Sequence, residues 1–125
     1  MLVRDRMSSP AITVAPGESY HAALKLMQDK NAHHIPVVEN NAVVGIVAER
    51  DLLLAAVNFM QADVDVAEIM HAPVVTIGPE ASVIDAARIM AKNRIGGLPV
   101  VDGSGVVGII TETDVVNVFV AMMAE

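Results

Sequence analysis

The chain has 125 residues, of which 54% are hydrophobic and 2% aromatic, and its formal net charge is −7. This length holds one compact domain, or two half-sized units that must share a core, because about 60 residues bury too little surface to be comfortably stable alone. The acidic balance and the scattering of the eight basic residues argue against nucleic acid or an anionic membrane surface as a partner, since both require clustered Lys and Arg.

The amino terminus does not resemble a targeting segment. Residues 1–7 lack the apolar run of a signal peptide, and no apolar stretch reaches the roughly 20 residues that span a membrane. The chain has no cysteine, which removes disulfides, thiolate nucleophiles and zinc–thiolate sites and fits a reducing compartment. We therefore expect a soluble, cytoplasmic protein.

The first half of the chain begins with a predicted strand and helix. Residues 11–14 form a short apolar run, which Pro16 and Gly17 close with a turn. Ser19 then stands at the N-cap position of a helix, because apolar residues recur at i, i+3, i+4 and i+7 starting from Tyr20. The spacing predicts an amphipathic helix with one apolar face.

A hairpin and an apolar helix complete this half. The β-branched runs 35–38 and 42–47 flank residues 39–41, two of which are asparagine, and asparagine suits the tight turns between antiparallel strands. A closing helix is expected from residue 49 to residue 60. A polar connection and a helical turn at residues 66–70 should follow it.

The second half repeats the first half at an offset of 63 residues without a gap. The stretch 45–51 reads GIVAERD and the stretch 108–114 reads GIITETD, and matching Met, Pro, Thr and Ser positions extend the repeat in both directions. Such self-similarity marks one structural unit built twice. We expect a first repeat at residues 1–60, a linker at 61–69 and a second repeat at 70–125, each with the order strand, helix, strand, strand, helix.

The two closing helices, residues 49–60 and 112–123, are apolar on nearly every face. A helix that is hydrophobic all round is normally buried all round, and a leftover apolar patch usually marks a contact surface. A thick intrachain core, a homodimer through these helices, and contact with a C-terminal domain beyond residue 125 are the three interpretations. We favour the homodimer.

The start of the second closing helix carries the residues with the most chemistry. Thr111 and Asp114 have the spacing of a capping box, which only stabilises a helix end. The same residues place a hydroxyl and a carboxylate at a helix N-terminus, where anions bind. Spacing alone leaves both interpretations open. In the first repeat Ala48 replaces the threonine, whereas Asp51 is kept and Arg50 stands beside it.

The doubled pattern, Pro-Val-Val followed by a turn and then Gly-x-x-Thr-x-x-Asp at a helix start, with Ala48 in place of the threonine in the first repeat, resembles the CBS (cystathionine β-synthase) domain pair and is most similar to the acetoin-utilisation type. The resemblance covers nearly the whole chain. It implies an α/β (α+β) fold, in which two β-α-β-β-α repeats pack sheet to sheet about a pseudo-twofold axis. It also implies two clefts for adenosine-containing ligands and dimerisation through the helices.

The resemblance implies a role for each candidate site residue. Asp114 would accept hydrogen bonds from both ribose hydroxyls, which suits an acceptor with two oxygens, and Thr111 would face a phosphate. In the weaker first site, Asp51 would take the ribose and Arg50 a phosphate. The remaining candidates are basic groups for phosphate, apolar walls for adenine, and a glycine where the first repeat has a histidine: His33, His34, Arg94; Ile12, Val75, Ile95, Pro99; Gly97.

Structural interpretations of these further candidates stay open. The histidines and Arg94 also fit solvated surface positions, and the apolar residues fit a plain sheet core. The adjacent His33 and His34 do not predict a metal site, because neighbouring side chains of an extended chain point apart and no nearby His or Cys completes the ligand set.

No catalytic motif is apparent, so we do not expect an enzyme or a catalytic cofactor. We predict a regulatory module that binds AMP, ADP, ATP or S-adenosylmethionine in the cleft between the repeats, forms a homodimer and signals to an effector protein. The alternative is a ligand-independent homodimerisation or interaction module.

Overall fold

The computed structural model describes residues 1–59 and 63–124. The chain forms two compact units, one from Ile12–Val74 and the other from Met1–Ala11 together with Val75–Glu125. The predicted end of the first repeat at residue 60, the first two residues of the predicted linker and residue 125 lie outside the described residues.

Among the described residues, each unit contains two α-helices, one short 3-10 helix and one two-stranded antiparallel sheet. In chain order, the first unit along the chain contains α1 (Tyr20–Lys30), β1 (His34–Glu39), β2 (Ala42–Ala48) and α2 (Glu49–Phe59). The second contains α3 (Val83–Asn93), β3 (Gly97–Asp102), β4 (Gly105–Thr111) and α4 (Glu112–Met123). The predicted repeat of mixed α/β elements is confirmed.

The strand predicted at residues 11–14 is shorter than its apolar run suggests. Only Val14 pairs with the sheet, in a parallel bridge to Val37, and its N–H and C=O bond to Pro36 and Val38. Pro10 and Pro16 flank the run and have no N–H to donate, so the pairing does not extend. The corresponding bridge of the second repeat joins Ile77 and Val100.

Serine caps both amphipathic helices as predicted. The hydroxyl oxygen of Ser19 accepts from the backbone N–H of Ala22 at 3.1 Å, and that of Ser82 accepts from the N–H of Asp85 at 3.0 Å. Each bond satisfies a donor that has no partner inside the helix.

The two hairpins use different turn chemistry. Asn40 and Asn41 both have positive φ, 51° and 64°, as a two-residue type I′ turn requires. In the other hairpin only Gly105 has positive φ, at 111°, while Asp102 accepts from the N–H and the hydroxyl of Ser104 at 2.7 Å each. Asparagine and glycine therefore fill the positions that disfavour a side chain with a branched Cβ.

The segment before each repeat packs on the other repeat's sheet. Residues 3–8 run along the second repeat, where Val3 donates to Ala81 at 2.8 Å and Ser8 exchanges two backbone bonds with Ile109. The corresponding segment, which contains a 3-10 helix at Val66–Glu68, runs along the first repeat. There His71 exchanges two backbone bonds with Ile46.

These two segments, residues 3–8 and residues 66–71, are called the exchanged segments below, and they contribute to the hydrophobic cores. Val3 is fully buried among residues 77–118, and Val66 is fully buried in the core of the unit Ile12–Val74. Each unit therefore consists of one repeat together with the segment that precedes the other repeat, because that segment completes its sheet. The repeat boundaries of 1–60 and 70–125 stay a prediction.

The closing helices keep large apolar side chains on their surfaces, as their composition predicts. Leu52 and Val118 are buried, but other faces are exposed. Val57 is 72% exposed and Phe119 is 63% exposed. The intrachain core therefore does not cover these helices. Among the residues of α2 and α4 whose burial is described, the other large exposed apolar residues are Leu53, Leu54, Val116, Val120, Met122 and Met123.

Candidate functional site

The end of β4 and the start of α4 bring Thr111 and Asp114 together. Thr111 ends the strand in an extended conformation and is the N-cap of the helix. Its backbone N–H donates to Oδ2 of Asp114 at 2.8 Å, and its hydroxyl donates to the same oxygen at 3.1 Å. Both side chains are half-buried. The predicted pair is therefore in contact and its carboxylate has a fixed orientation.

This arrangement can accept further hydrogen bonds. Among the described residues, both bonds that the Asp114 carboxylate accepts end on Oδ2, which leaves the lone pairs of Oδ1 for another donor. The N-terminus of α4 adds a partial positive charge that favours anions within the first turn. A ligand that carries both a hydroxyl donor and an anionic group matches these two features.

Three other second-repeat candidates belong to the sheet of this unit or pack against its core. Gly97 is buried and pairs with Thr111 across the sheet. Pro99 is buried in β3 and its carbonyl accepts from Ile77 at 3.1 Å. Val75 packs against the core of its unit. Val75 and Pro99 therefore contribute to the sheet core, which was their alternative interpretation, and their role toward a ligand stays a prediction.

Arg94 and Ile95 line a groove of about 390 Å³ between the end of α3 and the start of α4. Arg94 is exposed and is the left-handed C-cap of α3, with φ 54°. Thr111 and Asp114 do not line this groove, although Glu112 does. The remaining lining is apolar: Ala87, Met90, Ala91, Val115 and Val116.

The first repeat has a carboxylate at the corresponding position, but its hydrogen-bond partners differ. Asp51 is the third residue of α2, as Asp114 is of α4. Its Oδ2 accepts from the N–H of Ala48 at 3.3 Å and lies 3.0 Å from Nε2 of His71. Sequence reasoning did not select His71. The offset of 63 residues pairs His71 with Ser8. This difference between the two repeats was the only sequence signal that could have pointed to His71.

The remaining first-repeat candidates are dispersed around α2 and β1. The Nδ1 atom of His33 lies 3.3 Å from Oε1 of Glu49, and its side chain is exposed. His34 begins β1 and is half-buried, and Arg50 is exposed. Ile12 packs against the core of its unit.

Within residues 1–59 and 63–124, no three His, Asp or Glu side chains are placed to hold a metal ion together. In the same described ranges, no helix has the length and apolarity needed to cross a membrane.

A family model of the CBS domain matches residues 3–58 and 66–121. The chain belongs to the CBS domain family. The two matched segments correspond to the two sequence repeats, so the resemblance inferred from the doubled Gly-x-x-x-x-x-Asp pattern is confirmed.

Relatives of different size share this pair. The chain is 34% identical over 113 residues to the CBS domain-containing protein YhcV of Bacillus subtilis, with 90% of this chain and 81% of that protein covered. It is 41% identical to the inosine-5′-monophosphate dehydrogenase of Nitrosopumilus maritimus over 84% of this chain, but that match spans 21% of the enzyme.

Solved structures show the same fold. The CBS domain pair of protein MJ0100, in complex with 5′-methylthioadenosine and S-adenosyl-L-methionine, has a TM-score of 0.89 at 33% identity and 98% coverage of both chains. An acetoin utilization protein (AcuB) from Vibrio cholerae has a TM-score of 0.86 at 34% identity, with 98% of this chain and 94% of that one covered. CBSX2 in complex with AMP has a TM-score of 0.81 at 28% identity and 98% coverage of both.

Proposed function

We propose that this CBS pair is a regulatory module that binds an adenosine-containing ligand at the N-termini of its closing helices. The observation that carries the proposal is the Asp114 carboxylate, which two donors of Thr111 hold through one oxygen. The other oxygen is then oriented to accept from a ribose diol, while the start of α4 favours the negative charge of a phosphate or carboxylate.

The ligands of the structural neighbours support this choice of chemistry. One neighbour holds 5′-methylthioadenosine and S-adenosyl-L-methionine, and another holds AMP. These molecules share an adenosine group and differ in the group attached to the ribose. We therefore assign the ribose to Asp114 and leave AMP, ADP, ATP and S-adenosylmethionine as the panel to be tested. Regulation then requires that the ligand bind two arrangements of the protein with different affinities.

A thermal-shift panel of these four ligands followed by calorimetry tests the proposal, because a ligand that binds only the native state raises its apparent stability. Asp114→Asn should weaken the best ligand about 10- to 100-fold, the effect of losing hydrogen bonds to a charged acceptor. Asp85→Asn is the matched control. Asp85 is also the third residue of a helix capped by a hydroxyl residue, so this variant reproduces the loss of a first-turn charge without touching the proposed site.

Equal affinity together with equal stoichiometry in wild type and Asp114→Asn would refute the ribose assignment. The absence of any shift at millimolar ligand, with the protein folded, would favour the ligand-independent interaction module.

The exposed apolar faces of α2 and α4 favour an assembly role beside ligand binding. We propose a homodimer through these two helices, because each keeps large apolar side chains exposed in the isolated chain, such as Val57 and Phe119, and exposed apolar surface of this kind usually marks an interface. An effector protein or a further domain is the competing occupant of the same surface.

A further inference from the structure

The two repeats hold their helix-start carboxylates in the same way but with different donors. In the second repeat, the N–H and the hydroxyl of Thr111 both bond Oδ2 of Asp114. In the first repeat, Oδ2 of Asp51 has the N–H of Ala48 at 3.3 Å and the imidazole Nε2 of His71 at 3.0 Å. The imidazole thus takes the place that the threonine hydroxyl has in the other repeat.

The exchanged segment delivers the imidazole to this place. The backbone N–H of His71 donates to Ile46 at 2.9 Å and its carbonyl accepts from Ile46 at 3.2 Å. Ser8 makes the same pair of bonds with Ile109 in the second repeat. The backbones are therefore equivalent, and the longer histidine side chain accounts for the contact with Asp51.

The imidazole can replace the missing hydroxyl as a hydrogen-bond donor. Alanine has no side-chain donor, so Asp51 would keep only a backbone bond without His71. A neutral imidazole protonated at Nε2, or an imidazolium, supplies the missing donor. The carboxylate of Asp51 is 24% exposed, so a fixed orientation requires a partner that competes with water.

We propose that His71 is the positioning residue of a second ligand site in the first repeat, where it orients Asp51 in place of the missing threonine hydroxyl. This inference rests on the proposed function. It means that the Ala48 substitution does not disable the first repeat, because a residue from another part of the chain compensates for it. Both repeats then offer an oriented carboxylate at a helix N-terminus.

The test isolates the first site by using the Asp114→Asn background and titrating AMP and S-adenosylmethionine by calorimetry. In that background His71→Ser, which copies Ser8 of the other repeat, should weaken the remaining binding about three- to tenfold, the effect of one hydrogen bond. Adding Ala48→Thr should restore affinity, because it returns the hydroxyl donor. His71→Gln should also retain affinity, since its amide nitrogen can donate at a similar reach.

The matched control is Ser8→Ala in the same background, which should leave affinity unchanged. Tighter binding by His71→Ser would show that the imidazole blocks Asp51, and unchanged binding would show that it has no positioning role. Either result overturns the inference, and so does failure of Ala48→Thr to restore affinity.

A ligand-free measurement separates this inference from the proposed function. The ¹⁵N shifts of the His71 imidazole should report a protonated Nε2 and should change in Asp51→Asn. If the wild type binds no ligand of the panel, the proposed function fails, and the ring shifts alone then decide whether His71 holds Asp51. Ring shifts that do not respond to Asp51→Asn overturn the pairing.

Discussion

The thioether of Met7 lies against the backbone of Gly108, so that a Cβ on Gly108 would be 2.7 Å from the sulfur. The same Cβ would be 2.7 Å from the carbonyl oxygen of Ser8. A methionine can move, but the Ser8 carbonyl is held by its bond from Ile109. The glycine of the family pattern is therefore required here by the exchanged segment that crosses it.

We expect Gly108→Ala to lower the free energy of unfolding by about 1–3 kcal/mol, the usual effect of overpacking. Urea denaturation measures this change. Gly78→Ala is the control, because a Cβ at Gly78 meets nothing within 4 Å; it should leave stability unchanged or slightly raised. Equal stability of the two variants would contradict the close contact with Met7 and Ser8.

The exchange of segments predicts which sheet responds to a core substitution. Val3 and Val66 are each fully buried, Val3 among residues of the second repeat and Val66 among residues of the first. Val3→Ala and Val66→Ala should each lower stability by about 1.5–3 kcal/mol through lost burial and a residual cavity.

Amide hydrogen exchange distinguishes the two variants, because local opening depends on local packing. Val3→Ala should speed exchange mainly in β3 and β4, and Val66→Ala mainly in β1 and β2. The opposite assignment would show that each segment packs on its own repeat.

Arg94 has an unfavourable left-handed backbone conformation and is also a candidate ligand-binding residue. Its left-handed φ of 54° costs a non-glycine residue about 1 kcal/mol, and the corresponding residue of the first repeat is Asn31, at φ 52°. Arg94→Asn should therefore raise the free energy of unfolding by about 0.5–1 kcal/mol, because asparagine tolerates this conformation better.

The same variant should weaken AMP several-fold and leave adenosine unaffected, if the guanidinium contacts the phosphate as the family resemblance implies. Arg88→Asn removes an equal charge from the exposed surface of α3 and should change neither affinity. A variant that is more stable but binds AMP normally would assign Arg94 a surface role.

The apolar face of α4 predicts a change in assembly. Phe119→Glu should convert the proposed dimer to a monomer at micromolar concentration in sedimentation velocity, because a charge buried in an apolar interface is left unpaired. Ile84→Glu is the control, since Ile84 is equally exposed, at 63%, but belongs to α3. A wild type that sediments as a monomer at micromolar concentration would refute the homodimer and leave the effector or further domain as the occupant.

One carboxyl in the second hairpin has a predictable titration. Hydrogen bonds from the hydroxyl and then the backbone N–H of Ser104 hold the pKa of Asp102 below its ordinary value. Since the pKa is lower in the folded state, this turn stabilises the fold above about pH 4 and loses that contribution as the pH falls through the folded pKa. Ser104→Ala should raise the pKa of Asp102 toward its ordinary value in an NMR titration, and an unchanged pKa would contradict the hydroxyl bond.

Local patterns were sufficient to predict most of the elements. The helical spacing after Ser19 and the paired asparagines at 40–41 depend on neighbours within a few positions, and the structure places a helix and a tight turn there. The length of the strand at residues 11–14 was overestimated, because apolar content does not show whether a partner strand continues beside the run. Only Val14 finds such a partner.

The exchanged segments and His71 were beyond this kind of reasoning. Val3 and Val66 have the same residue type and neighbours of the same pattern, so the sequence is equally compatible with either repeat as the partner. The Thr111 and Asp114 contact was predicted because it is local, spanning one turn. The contact of His71 with Asp51 joins two segments whose proximity depends on the exchange.

The exchange also separates the order of synthesis from the order of assembly. All residues of the unit Ile12–Val74 are available once Val74 has left the ribosome, so this unit can fold while the chain is still growing. Residues 1–11 are made before this unit, yet the sheet that Val3 and Ser8 join is made after it. Val3 and Ser8 must therefore wait until β3 and β4 have been made, and we expect this unit to fold more slowly and to need protection from aggregation longer.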